Sequence, residues 1–357
     1  MARIRILVVE DSLSVRRRLV EVLGGDPGLE VVGEAVDGLQ AASMCRELRP
    51  DVITMDLAMP VMDGLEVTED IMAHCPTPIL IISGSYNRGE LFRTYEALNA
   101  GAIDLLEKPR GDEPEGAWER DLLAKVKLVS RIKVITHLRG RMTGRMPRPS
   151  PAAISAPGPA GPGLRAVAIG TSTGGPAALA AVLGALHTGF PLPILAVIHI
   201  GRNFAASFAQ WLGEQTPLAV SLAEDGEPLA GISGRVVLAP SDLHLVVRGG
   251  RLRLTDEAPS QSCRPSVDVL FSSLAGELGD ACVACLLTGM GRDGAQGLLA
   301  IRRAGGQTIA QDESSSVVFG MPREAIALGA AEHILPLSAI GPHLERLASQ
   351  PRPERLL

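Results

Sequence analysis

Strand-length apolar runs alternate with helix-length segments along most of the chain, and that alternation narrows the fold more than any other feature. A helix between two strands carries the chain back to the starting end of the sheet. The strands then run parallel, with helices covering both faces. In the first part, Ile4–Val9, Leu29–Ala35, Val52–Met55, Ile79–Ile82 and Ile103–Leu106 read as strands. Val15–Leu23, Leu39–Leu48, Leu65–Ala73, Leu91–Ala100 and a segment carrying Leu122, Val126, Val129 and Ile132 read as helices. The expected class is α/β.

A break separates two such stretches. Residues 139–164 hold Pro147, Pro149, Pro151, Pro157, Pro159 and Pro162 among small residues, with no apolar period. They read as an extended, flexible linker between a domain over 1–138 and another over 165–350, with 351–357 as a tail. In the second domain Arg165–Ile169, Ile194–Ile200 (carrying His199), Cys282–Leu287 and Gln307–Ala310 read as strands of a mostly parallel sheet. Helices are expected at Ala177–Leu186, Phe204–Trp211, Val267–Leu278, Gln296–Ala304 and near Ser338–Leu347. Short strands at Ala219–Leu222, Arg235–Leu238, Leu243–Val247 and Arg251–Leu254 suggest an inserted antiparallel hairpin.

Several functions are excluded by bulk properties. The net charge is −6 and aromatics make up 3% of the chain, which speaks against nucleic acid and anionic membranes as partners. No apolar run reaches the roughly 18 residues of a membrane span. The N-terminus enters a strand at once, without a signal-peptide pattern, so a cytoplasmic protein is expected. Five cysteines, an odd number, argue against a disulfide framework. Cys282 and Cys285 have C-x-x-C spacing but lie in a strand, where residues three apart face opposite ways.

Polar residues gather at strand ends in the first domain. Glu10, Asp11, Asp56, Ser83 and Lys108 each fall at or just after the end of a predicted strand, and such ends converge on one crevice. Three carboxylates there need a cation, and a hard divalent ion such as Mg²⁺ fits them. Asp56 can then act as nucleophile toward a phosphoryl group, with Lys108 balancing charge and the Ser83 hydroxyl bonding a phosphoryl oxygen.

In the second domain, Gly170-Thr-Ser-Thr-Gly174 matches G-x-S-x-G between a strand and a helix with Pro176 in its first turn. This either exposes Ser172 Oγ as a nucleophile beside a helix N-terminus, or is a phosphate-binding loop or simple tight turn. His199 and Asp293 also fall at strand ends. Ser172 would attack an acyl carbon, His199 would relay its proton and Asp293 would orient His199. His244 is a rival base; His74, His137, His187, His333 and His343 are less well placed.

The first domain resembles the response-regulator receiver family, a flavodoxin-like fold. The matching residues are Val9-Glu-Asp-Ser12, Met55 through Gly64, Ser83-Gly84, Gly101-Ala102 and Glu107-Lys-Pro109. The resemblance implies phosphorylation at Asp56, Mg²⁺ held by Glu10, Asp11, Asp56 and the Ala58 carbonyl, and phosphoryl reading by Ser83 and Lys108. Many receivers carry a switch aromatic where this chain has Leu105.

The second domain resembles the catalytic domain of the chemotaxis protein-glutamate methylesterases. The matching stretches are Ala168–Pro176, Ile198–Ile200 with Phe204, Leu238–Pro240, Arg264–Ser272, Leu287–Gly294 and Ala310–Ala325. The resemblance implies hydrolysis of glutamyl γ-methyl esters on methyl-accepting chemotaxis receptors, releasing methanol, and in many members deamidation of receptor glutamines. It places Ser172, His199 and Asp293 as the triad, Thr173 after the nucleophile and the Met290 N–H at the oxyanion, with no cofactor for the esterase. A histidine kinase of a chemotaxis-type pathway would be the phosphodonor. Family members commonly have His-Met-Pro where this chain has His199-Ile-Gly201, so the groove rim is expected to differ.

The family logic is autoinhibition relieved by phosphorylation at Asp56. A shift from 1:99 to 99:1 would need about 5.5 kcal/mol, so partial activation is expected. Two other classes remain at this level: a non-catalytic adaptor, and a nucleotide-binding module. The latter has neither G-x-G-x-x-G spacing nor a P-loop lysine behind it.

Overall fold

The computed structural model describes residues 3–84, 88–109, 114, 116–132, 134, 163–201 and 204–349. It divides into two units, Met1–Pro149 and Ser150–Leu357, each with its own sheet. Most of the expected linker and the 351–357 tail lie outside the described residues.

In the first unit the elements run β1 (Ile4–Val9), α1 (Leu13–Gly24), β2 (Leu29–Ala35), α2 (Gly38–Leu48), β3 (Val52–Met55), α3 (Gly64–His74), β4 (Ile79–Ser83), α4 (Arg88–Ala100), β5 (Asp104–Glu107) and α5 (Ala117–Val129). All five strands are parallel, in the order β2-β1-β3-β4-β5. Strands β3 and β4 are buried throughout, which is why they read as nearly continuous apolar runs. Helix starts are fixed by side-chain caps. The Asp37 carboxylate accepts from Gln40 N–H at 2.8 Å, and Asp63 and Glu66 form a capping box on α3. The chain leaves β1 for β2 on one side and returns to β3 on the other. The crevice of this sheet therefore opens at the C-terminal ends of β1 and β3. Ile132, expected to extend the last helix, lies beyond the end of α5.

The second unit runs β6 (Ala166–Thr171), α6 (Gly175–Gly184), β7 (Ile194–Ile198), α7 (Ala205–Gln215), β8 (Ala219–Leu222), β9 (Arg235–Leu238), β10 (His244–Arg248), β11 (Arg251–Thr255), α8 (Val267–Leu278), β12 (Cys282–Leu286), α9 (Ala295–Arg303), β13 (Gln307–Gln311), α10 (Met321–Ala327), β14 (His333–Leu335) and α11 (Leu337–Ser349). Seven strands form a parallel sheet ordered β14-β13-β12-β6-β7-β9-β8. The hairpin is β10–β11 alone, a separate two-stranded sheet; β8 and β9 join the main sheet instead. Leu245, Val247 and Leu252 of the hairpin share a core with Leu270, Phe271 and Leu274 of α8. Strand β6 is central, with β7 on one side and β12 on the other, so the switch point lies at the ends of β6 and β12. Cys282 and Cys285 are both buried in β12. Among the described residues no helix is long and apolar enough to cross a membrane.

Candidate active site

Ser172 is the first residue beyond β6, half-buried at the switch point. The chain turns sharply there because Gly174 adopts φ +76°, and a Cβ at that glycine would stand 2.6 Å from Val317 Cβ. Helix α6 begins at once, with Pro176 in its first turn. The loop after β12 is tied to this turn. Ser172 N–H and the Thr171 hydroxyl both donate to the Thr288 carbonyl, at 3.0 and 2.8 Å. The Thr288 hydroxyl donates to the Thr173 carbonyl at 3.0 Å and accepts from Val318 N–H at 2.9 Å. Gly289 passes so close that a Cβ on it would lie 2.9 Å from Ser172 Cβ. Met290 stands exposed beside it, and among the described residues its N–H donates to no protein group.

The register brings His199 to the same place. Thr171 pairs with Ile198, and His199 N–H donates to the Thr171 carbonyl at 3.2 Å. His199 therefore follows β7 as Ser172 follows β6, on strands about 4.8 Å apart. Its Nε2 lies 2.9 Å from Asp293 Oδ2. Asp293 is 3% exposed and docks on the N-terminus of α8. It accepts from the Ser266 hydroxyl at 2.7 Å, Val267 N–H at 2.7 Å and Asp268 N–H at 3.0 Å. Burial works against its charge, but the bonds from His199 and Ser266 win and hold the carboxyl below its ordinary value. Burial likewise opposes the imidazolium, yet the Asp293 bond and the neighbouring Cys263 thiol push His199 up to about 9. The Ser172 hydroxyl has no hydrogen-bond partner among the described residues, His199 included. With Nε2 committed to Asp293, Nδ1 is the nitrogen left for proton transfer; Cys263 Sγ lies 3.9 Å from it.

His244 is placed elsewhere. It is fully buried, its Nδ1 accepts from Ser266 N–H at 3.2 Å, and its Nε2 lies 3.3 Å from the Ala258 carbonyl. Both ring nitrogens are occupied, so His244 supports the Ser266 backbone behind Asp293. His187 Nδ1 pairs with Glu345 at 2.7 Å, and His333 lies against His343 at 4.7 Å between ring centres. His137 lies outside the described residues.

The first unit gathers its polar residues as its topology requires. Glu10 and Asp11 follow β1, and Asp56 follows β3. One carboxylate oxygen from each lies within 4.8 Å of the others. Lys108 Nζ is 2.8 Å from Glu10 Oε2 and 2.9 Å from Asp56 Oδ2. Burial and the Asp56 charge push the Glu10 carboxyl up to about 7. Burial disfavours the Lys108 charge, but Asp56 and Glu10 keep its ammonium above its ordinary value. Ser83 ends β4, buried, on the same edge, and Ala58 is exposed two residues beyond Asp56. Leu105, at the position of the usual aromatic, is buried in β5.

Two family models match this chain: CheB methylesterase over residues 167–344 and response regulator receiver domain over residues 6–114. A curated relative from Anaeromyxobacter dehalogenans (strain 2CP-C), named protein-glutamate methylesterase/protein-glutamine glutaminase 2, is 46% identical over 344 residues, covering 96% of this chain and 97% of its own. The chain belongs to the CheB methylesterase family. A similarly named relative from Myxococcus xanthus (strain DK1622), numbered 4, is 44% identical with 96% of each chain covered. Among solved structures, the Thermotoga maritima CheB methylesterase catalytic domain is 37% identical over 52% of this chain and 98% of its own, with a TM-score of 0.49.

Two residues of this CheB-family site carry no role in the sequence reading. Ser266 has the look of a helix N-cap, and it does accept from Val269 N–H at 3.4 Å. Its bond to Asp293 joins residues 27 apart and has no local signature. Cys263 carries no sequence signal at all; only the folded turn before α8 brings it to His199.

Proposed function

We propose that this chain hydrolyses glutamate γ-methyl esters on methyl-accepting chemotaxis receptors, as a serine hydrolase whose activity rises when Asp56 is phosphorylated. The observation that carries the reading is the placement of Ser172 and His199 at neighbouring strand ends with buried Asp293 on His199 Nε2. The names of the full-length relatives supply the substrate class.

The chemistry follows from these positions. Asp293 fixes the tautomer with the proton on Nε2, so Nδ1 presents its lone pair. Nδ1 takes the proton of Ser172 as Oγ attacks the ester carbonyl. The oxyanion forms against the Met290 N–H and the backbone after Ser172, at Thr173 and the start of α6. His199 then returns the proton to the leaving methanol, and water releases glutamate from the acyl-enzyme by the same route. A receptor glutamine reacts likewise, with ammonia leaving. None of these steps needs a cofactor.

In the receiver, the hard oxygen donors of Glu10, Asp11 and Asp56 suit Mg²⁺, with the Ala58 carbonyl as a further ligand. Bound there, the ion balances the charge that a phosphoryl group adds. Asp56 accepts that group from a chemotaxis-type histidine kinase, while Lys108 and Ser83 contact its oxygens. These partners go with a cytoplasmic setting.

The test is methanol release from enzymatically methylated receptor membranes, run beside labelling by a fluorophosphonate probe. Ser172→Ala is expected to abolish both. A non-catalytic adaptor is the competing reading, and labelling of wild type no stronger than of Ser172→Ala would favour it.

A further inference from the structure

Cys263 is left over by the proposed reaction, yet it faces the reaction's base. It closes a tight turn in which Ser260 N–H donates to the Cys263 carbonyl at 3.1 Å and Cys263 N–H to the Ser260 carbonyl at 2.8 Å. The turn is pinned from below. Gln261 donates to Asp268 at 2.7 Å and accepts from Arg292 Nε at 3.1 Å. The thiol is thereby held 3.9 Å from His199 Nδ1 and remains partly exposed.

The other half of the arrangement is Asp293. A carboxylate on the far nitrogen of an imidazole fixes its tautomer and raises its basicity as a metal ligand. Here it aims the Nδ1 lone pair toward the side where Cys263 Sγ stands. Zinc bonds of about 2.3 Å to sulfur and 2.0 Å to nitrogen, at a tetrahedral angle, set the two ligand atoms about 3.5 Å apart. The observed 3.9 Å is within a few tenths of an ångström of that. One donor atom each from His199, Cys263 and Asp293 lies within 4.8 Å of the others. A thiolate with an imidazole selects Zn²⁺ over Mg²⁺, whereas the receiver's all-carboxylate set suits Mg²⁺. The remaining thiols do not offer this pairing. Cys45, Cys282 and Cys285 are buried, and Cys75 Sγ bonds the Cys45 carbonyl.

We propose that Cys263 Sγ and His199 Nδ1 form an inhibitory Zn²⁺ site, supported by Asp293, that switches the esterase off by occupying the lone pair Ser172 needs. Only this consequence rests on the function proposed above; the binding stands apart from it. Coordination breaks the S–H bond, releases that proton to solvent and leaves the serine unmodified.

The test uses the full chain in excess Mg²⁺, which saturates the receiver carboxylates. Zn²⁺ is titrated against a chromophoric chelator, and Co²⁺ serves as a spectroscopic substitute. Wild type is expected to take up one Zn²⁺ equivalent, show a near-ultraviolet thiolate-to-cobalt band, and lose fluorophosphonate labelling until EDTA is added. Cys263→Ser should bind Zn²⁺ at least about tenfold more weakly, lack the band, and keep its labelling in Zn²⁺. Asp293→Asn should weaken Zn²⁺ about 10–100-fold through the loss of the supporting carboxylate. Equal Zn²⁺ affinity in wild type and Cys263→Ser, or no thiolate band in wild type, would overturn the proposal. If Ser172 were not the nucleophile, labelling would fail without metal in both proteins, while the binding difference would persist.

Discussion

As the proposed base, His199 must be neutral to act, and the structure holds it in a setting that favours its charge. With its pKa pushed up to about 9, the neutral fraction grows with pH throughout the ordinary range. The esterase kcat/KM is therefore expected to climb toward a limb near pH 9. Asp293→Asn removes the negative partner, so the limb should move to lower pH, while kcat falls by roughly 10³–10⁴-fold as the ring loses its fixed tautomer. A pH–rate profile of the two proteins checks the sign. An unmoved limb would mean that another group sets it. Ser266 is a positioning residue behind this pair. Ser266→Ala takes one hydrogen bond from a buried carboxylate, worth about 1.5–3 kcal/mol. kcat should drop about 10–100-fold and the pH limb should shift, which a purely structural role would not do. That Ser172, His199 and Asp293 share one sheet edge is legible because each falls at or after a strand end in sequence. His244 competes with His199 in sequence from a place near a strand start, and in the structure its two occupied nitrogens set it apart.

Elements carry the site through α8. Its N-terminus supplies two backbone N–H bonds to Asp293, and its apolar face sits in the core with the hairpin. Phe271 is fully buried on that face. Phe271→Ala is expected to cost about 3–5 kcal/mol in the second unit. Calorimetry of the full chain should show the esterase transition lowered and the receiver transition unchanged. Strands β4, β6 and β7 are legible in sequence because burial on both faces makes each a nearly continuous apolar run, whereas edge strand β2 carries Glu30 and Glu34 and shows a broken one. Two later elements had no such signal. Helix α10 is seven residues with Pro322 in its first turn, too short for a helical period to show. Strand β14 is three residues at the sheet edge, and Ile334 on it is exposed. Which two of the four short strands form the hairpin is not marked in sequence, because β8 and β9 are as short as β10 and β11; only pairing partners distinguish them.

At the scale of the whole chain, one sheet edge gathers Glu10, Asp11, Asp56 and Lys108, and another gathers Ser172, His199 and Asp293. Both lie at switch points dictated by strand order, and the proline-rich stretch between them made the two-part organisation legible in sequence. Charge sets the two sites apart: three clustered carboxylates, two of them paired with Lys108, in one unit, and a single buried carboxylate committed to a histidine in the other. If the first governs the second, Asp56→Ala should keep basal hydrolysis and lose all response to a phosphodonor.

The most direct measurement is methanol release from methylated receptor membranes, with and without acetyl phosphate and Mg²⁺, for wild type, Asp56→Ala and Ser172→Ala. The expected result is release by wild type that rises with the phosphodonor, an unstimulated basal rate in Asp56→Ala, and none in Ser172→Ala. Release by Ser172→Ala at the wild-type rate, or full stimulation of Asp56→Ala, would contradict a serine esterase governed by phosphorylation of Asp56.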